Sequence, residues 1–322
     1  MQTPPITPGG DPHALIDESP ESLPEIRSPR QIKRTRRRLA RKRFWKLYRK
    51  NTMGMVGLAI LIFFIGMALF AVFFANPAST DVSFTGDAPR HAPPSLEYPL
   101  GTTTLGVSVL SLIIEGSKIS LLVGLTASVI TITIGALVGV VAGYRGGAVD
   151  TGLMRFTDFA LVVPWLALAI ILAAILGPSL ITIIMVIGFT SWPGTSRLVR
   201  SQVLSIRERP YVERARALGG GDGHMIAHHV LPNVMPVILA NAVLVVAIAI
   251  LSETALSFLG LGDPFSISWG GILEEAFAAG ATTSGYWWWI VSPGVCIVLV
   301  VLAFTMIGFA LDEVINPKLR DR

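Results

Sequence analysis

From residue 54 onward the chain alternates long apolar runs with short polar stretches. Residues 54–76, 119–143, 160–176, 180–199, 234–252 and 290–311 each approach or exceed the roughly 20 apolar residues that cross a bilayer core as a helix. The pattern predicts an all-α integral membrane protein with six transmembrane helices. The first run follows a 53-residue leader, too long for a cleavable secretory signal, so it reads as a permanent anchor. Gly177-Pro178-Ser179 separates the third and fourth runs and predicts a tight hairpin turn. In the fourth, 13 residues precede Pro193, so length alone would also admit a re-entrant segment.

Composition agrees with a chain that lives mostly in lipid. Of 322 residues, 52% are hydrophobic and 15% charged, with a mean hydropathy of +0.63. A soluble domain carries about 25% charge. The lone cysteine, Cys296, excludes a disulfide scaffold and reads as a small packing residue.

Charge changes the picture once it is divided along the chain. Residues 1–26 hold five acids, six prolines and no Lys or Arg, which predicts a disordered tail dispensable for activity. Residues 27–50 hold 13 of the 26 Lys and Arg and no acid. A basic run that stops just before an apolar anchor suits the anionic lipid of a cytoplasmic membrane face better than nucleic acid. With six spans, 24 of the Lys and Arg fall on one side of the membrane, against only Arg90 and Lys118 on the other. That asymmetry places both termini in the cytoplasm, and it requires the fourth run to cross. The resulting divisions are a tail (1–26), a basic leader (27–53), an anchor helix with its extracytoplasmic loop (54–118), a core (119–311) containing a cytoplasmic loop (200–233), and a cytoplasmic tail (312–322).

Within the spans, Gly135, Gly139 and Gly143 recur every four residues and offer a flat face for close helix packing. Tyr286-Trp287-Trp288-Trp289 begins the last span and reads as an interfacial aromatic anchor. Glu253 is the acid near a span end; it reads either as a functional intramembrane carboxylate or as a helix-end group at the outer interface.

The chain carries no phosphate-binding glycine loop, zinc-protease helix, nucleophile elbow or paired cysteines. His224, His228 and His229 could share a helix face, but with Asp222 as the one nearby acid they read as interface residues rather than metal ligands. No catalytic, cofactor or metal residues are expected.

The loop around 196–233 is the most informative stretch. Pro210 suits the first turn of a helix over 211–218, which the glycines 219–221 end. A second short helix fits 223–230, and Leu231-Pro232 is expected to terminate it.

On these residues the chain resembles a known family. Tyr211-Val212-Glu213-Arg214-Ala215-Arg216-Ala217-Leu218-Gly219, continuing to Leu231-Pro232, resembles the E-A-A…G…L-P loop of importer permeases in ATP-binding-cassette transporters. The stretch from Gly139 to Gly147, the run from Glu253 to Gly262, and Ser268-Trp269-Gly270 resemble the dipeptide and oligopeptide permease branch, in the subunit with a basic leader and anchor helix. The residues from Gly101 to Ser108 depart from the family pattern, lacking its two acids and its Arg, which bears on the outer-face contacts.

The resemblance implies a type I importer permease in a bacterial or archaeal plasma membrane. It would pair with a homologous permease, two ATPase subunits that bind ATP and Mg, and an extracytoplasmic binding protein; nucleic acid has no part. Glu213, Ala215, Gly219, Leu231 and Pro232 would couple the spans to one ATPase, and Glu253 would serve the pathway or its gate. Peptide is the expected solute, with nickel an alternative within the same signature. A self-contained ion-coupled carrier is the more remote alternative, since Glu253 alone could supply intramembrane charge.

Overall fold

The computed structural model describes residues 29–74 and 86–315. The expectations for residues 1–26 and for the tail beyond Ile315 lie outside the described residues. The helices in chain order are α1 (Pro29–Tyr48), α2 (Thr52–Phe74), α3 (Val109–Arg145), α4 (Gly147–Val162), α5 (Trp165–Leu176), α6 (Leu180–Thr190) and α7 (Trp192–Arg207). There follow α8 (Pro210–Ala217), α9 (Asp222–Met225), α10 (Leu231–Leu256), α11 (Trp269–Ala278), α12 (Ala281–Ser284) and α13 (Trp287–Ile315). Single π-turns, Ile226–Val230 and Ser257–Leu261, precede and follow α10.

The chain divides into two compact units, residues 1–47 and 48–322. The first contains the basic leader as helix α1, with Arg38, Lys42 and Lys46 exposed at four-residue spacing along it. In the second, α3 is the central element and packs against α7, α10, α6 and α2, while α13 packs against α2 and α10. A core of Phe64, Ile113, Ile250, Trp269, Trp289 and Val300 joins α2, α3, α10, α11 and α13.

Among the described residues, four helical stretches are long and apolar enough to cross a membrane: Thr52–Ala71, Val109–Arg145, Asp222–Leu261 and Trp287–Val314. The other two expected spans are interrupted. α4 and α5 meet at 84°, because Pro164 pushes Val163 into an extended conformation. The pair makes a fifth candidate span if it is counted as one bent element. The run 180–199 divides at Ser191 into α6, 11 residues, and α7, whose second position is Pro193. At 1.5 Å per residue α6 reaches only about 16 Å, roughly half a bilayer core.

Two further expectations are corrected. The Leu231-Pro232 pair does not end the second short helix; the backbone continues as one 40-residue helical stretch from Asp222 to Leu261. Pro232 lacks an N–H, and the π-turn ahead of it widens the helix where an α-turn would clash; Asn233 Nδ2 then donates to the His229 carbonyl (2.7 Å). The aromatic run is not an interfacial belt throughout. Successive helical positions point about 100° apart, so Trp287 is exposed while Trp288 and Trp289 are buried in the core. Trp288 Nε1 donates to the Thr102 carbonyl (3.3 Å), and Tyr286 stacks on His91 with ring centroids 4.2 Å apart.

Candidate functional site

α8 is a short polar helix held by a few apolar side chains. Pro210 occupies its first turn, where a missing N–H costs nothing. Val212 is fully buried among Val203 and Ile206 of α7, Met225 of α9 and Val230 of the π-turn, and Ala215 packs on the same cluster half-buried. The opposite face, with Tyr211, Glu213, Arg214 and Leu218, is exposed. α8 is thus anchored on α7 and presents a mixed polar and apolar surface outward.

The glycine elbow closes α8 with two nested hydrogen bonds. Gly219 N–H donates to the Arg216 carbonyl (2.9 Å) and Gly220 N–H to that of Ala215 (3.2 Å). This is the Schellman arrangement, and it needs a left-handed residue, which Gly219 supplies at φ +88. Leu231, half-buried, and Pro232, exposed, lie at the start of α10 directly after the π-turn. His224 and His228 stack with centroids 4.3 Å apart on this exposed segment, and no metal-binding group of three ligands occurs among the described residues.

The glycines at four-residue spacing face α7, the helix on which α8 is seated. A Cβ on Gly135 would stand 2.6 Å from Thr195 Cβ, one on Gly139 2.6 Å from the Ser196 carbonyl oxygen, and one on Gly143 2.8 Å from Val203 Cβ. The two helices approach closely along this seam, with the Thr195 and Val203 side chains and the Ser196 carbonyl set against the three glycines.

Glu253 sits elsewhere, 22 residues or about 33 Å along the helix axis from Leu231. It is buried. Ser120 Oγ of α3 donates to its Oε2 (3.2 Å) and Ser257 Oγ of the second π-turn donates to its Oε1 (2.8 Å). The Trp269 N–H, opening α11, donates in turn to Ser120 Oγ (3.1 Å), and Trp269 Nε1 donates to the Ile113 carbonyl (3.0 Å). The carboxyl thus joins α3, α10 and α11. Beside it lies a cavity of about 260 Å³ whose lining includes Thr103, Ser257, Asp263, Glu274 and Glu275. Burial, together with the adjacent Glu274 carboxylate, pushes the Glu275 carboxyl above its ordinary range.

The expected residues therefore gather at two ends of one helix. Glu213, Ala215 and Gly219 belong to the short helix and its elbow, Leu231 and Pro232 to the near end of α10, and Glu253 to its far end. Met225 and Ser120 carried no expectation from sequence, and Val212 and Trp269 were legible as parts of motifs without a role of their own. Val212 was detectable as the apolar position in a polar run; Ser120 had no signal, because its partner is 133 residues away.

Comparison with known proteins places this geometry in context. Residues 132–321 match the family described as binding-protein-dependent transport system inner membrane component. Residues 36–94 match the N-terminal transmembrane domain of oligopeptide transport permease C. The chain is similar to the dipeptide transport system permease protein DppC of Bacillus subtilis (strain 168), at 37% identity over 86% of this chain and 85% of that protein. It is similar to the oligopeptide transport system permease protein OppC of the same organism, at 35% identity over 85% and 88%. A putative peptide transport system permease protein of Brucella suis biovar 1 is 36% identical over 93% of this chain and 96% of its own length.

Proposed function

We propose a mechanism from the premise that this chain belongs to the family of binding-protein-dependent transport system inner membrane components, in the branch of dipeptide and oligopeptide permeases. The chain is a multi-pass permease subunit of an ATP-driven peptide importer and is not itself the enzyme of that machine. Its partners are a second, homologous permease, two ATPase subunits that bind ATP and Mg, and an extracytoplasmic binding protein. The observation that carries the coupling role is α8, seated on α7 through Val212 while it offers Tyr211, Glu213 and Leu218 to a partner.

In this mechanism α8 enters a groove of one ATPase subunit. Closure of the ATPases on ATP moves α8 with α7, and the glycine seam passes the movement to α3. The Asp222–Leu261 stretch passes it from the elbow to the region of Glu253. Packed elements with two discrete arrangements carry such coupling over this distance. Glu213 supplies polar contacts to the ATPase, and Gly219 sets the angle between α8 and α9.

This placement requires six crossings with both termini cytoplasmic, α4–α5 and α6–α7 each crossing as an interrupted element. In sealed cells, an impermeant thiol reagent is expected to label cysteines placed in the segment 86–108 and to miss those in 208–230. Labelling of 208–230 would reverse the orientation and remove α8 from the ATPases.

Glu253 is proposed to hold α11 against α3 and α10 at the outer end of the pathway. In Glu253→Gln the side chain keeps its shape, but one acceptor becomes a donor, so one of the two serine hydroxyls must turn to accept and the charge-assisted bonds are replaced by weaker neutral ones. The variant complex is expected to assemble at parental levels and to import peptide several-fold more slowly. Parental uptake rates would reduce Glu253 to a packing role.

A further inference from the structure

The inner end of α3 borders an open cleft of about 630 Å³ that the coupling mechanism does not use. Arg145, Arg207 and Arg216 line it, with Tyr144 and Asp222. Three guanidinium groups against one carboxylate leave a formal charge of +2 at the cleft. Among the described residues no carboxylate forms an ion pair with any of the three. The acids that α4 could contribute are already engaged: Asp150 takes a two-pronged contact from Arg200 (2.5 and 2.6 Å), and Asp158 pairs with Arg197.

The cleft is held in shape by its own contacts. Arg207 Nη1 donates to the carbonyls of Tyr144 (3.0 Å) and Gly143 (3.3 Å). Tyr144 is buried, its hydroxyl donates to Asp222 Oδ1 (3.1 Å), and the Arg216 guanidinium lies 5.5 Å from its ring centroid. The cleft therefore joins α3 and α7 to α8, through Arg216, and to α9, through Asp222. Leading up to it on α3 are two exposed apolar residues, Leu137 (62%) and Val141 (36%), eight and four positions before Arg145 and near its face of the helix.

We propose that this cleft binds the phosphate of an anionic phospholipid, with an acyl chain lying along Leu137 and Val141. Guanidinium groups match phosphate oxygens in charge and geometry, and basic pockets beside membrane helices take such headgroups. The apolar approach along α3 favours a lipid over a soluble phosphate. Because Arg216 and Asp222 belong to the segment that carries α8, a bound headgroup would brace that segment against the end of α3. The leaflet rests on the orientation proposed above, whereas the binding itself does not.

The test uses the intact transporter in nanodiscs of phosphatidylcholine with phosphatidylglycerol, and native mass spectrometry reads the lipid retained. The parent is expected to retain phosphatidylglycerol selectively. Arg145→Gln with Arg216→Gln should weaken retention by about fivefold per guanidinium removed. Arg145→Lys with Arg216→Lys should restore most of it, which separates lost charge from lost folding. Inorganic phosphate and glycerol 3-phosphate form the soluble arm. If they bind the parent and phosphatidylglycerol is not retained, the anion site stands with an occupant from solution and the lipid assignment falls. Equal phosphatidylglycerol retention by the parent and the glutamine variant would overturn the proposal. So would loss of ATPase subunits from that variant with lipid retention unchanged, since the arginines would then serve a protein contact. Retention is read without transport, so a failure of the importer mechanism would be seen separately in peptide-stimulated ATP hydrolysis.

Discussion

Gly219→Val is expected to uncouple peptide import from ATP hydrolysis while leaving the membrane helices inserted. Gly219 adopts φ +88, and a Cβ there would meet nothing within 4 Å. Any effect must therefore come from the backbone and not from a clash. The left-handed conformation costs a non-glycine residue about 1–2 kcal/mol, and a β-branched one more. Leaving that conformation breaks the paired bonds from Gly219 and Gly220 and re-aims α9 relative to α8. A strain of that size depletes the correctly angled loop by about 5- to 30-fold. Uptake and peptide-stimulated ATP hydrolysis by the purified complex in lipid should fall accordingly. Gly219→Asn, which tolerates the left-handed region, should retain most of both. Glu213→Ala should produce the weaker phenotype, since it removes polar contacts from an exposed face without altering the elbow. Parental coupling in the valine variant would show that the loop is a solvated connector.

The second large effect is expected at the glycine seam. A Cβ on Gly139 would stand 2.6 Å from the Ser196 carbonyl oxygen, a backbone atom that cannot rotate away. α3 and α7 must then separate, and overpacking of this kind costs about 1–3 kcal/mol or more. Gly139→Ala should lower the amount of assembled complex several-fold, and Gly139→Val by tenfold or more. Gly66 makes the control, because a Cβ there meets nothing within 4 Å, so Gly66→Val should assemble as the parent does. Size-exclusion analysis of complex extracted from membranes reads the outcome. Normal assembly of Gly139→Val would mean that α3 and α7 have slack that the packed seam does not suggest.

Much of the architecture is legible in the amino-acid sequence. The run that begins at residue 54 is helical through Phe74 in α2, and residues 119–143 and 290–311 lie within α3 and α13, because a long apolar run has one low-energy solution in lipid. The helix expected over 211–218 is α8, displaced by one residue, since proline at a helix start and glycine after its end act through their own backbone. Interruptions were less legible. Leu231-Pro232 was expected to stop a helix that instead runs on, whereas the runs 160–176 and 180–199, each expected to cross, break at Val163 and Ser191. A proline removes one donor wherever it sits, but whether the helix ends, widens or bends depends on what the neighbouring elements offer.

Composition and periodicity were enough to establish that the chain is helical, that its apolar runs belong in lipid, that half of its basic charge is packed into residues 27–50 just ahead of the first run, and that a glycine elbow interrupts one loop. Each follows from local quantities: transfer free energy summed along a window, backbone freedom at one residue, charge counted between spans. Packing in three dimensions was needed to close the glycines of α3 on α7, to make Trp288 and Trp289 core while Trp287 is not, and to bury Glu253 against Ser120. Only it brought Arg145, Arg207 and Arg216 around one cleft. These outcomes depend on which surfaces fit one another across large sequence separations. Periodicity and composition describe each surface singly, and the choice of its partner is made by packing.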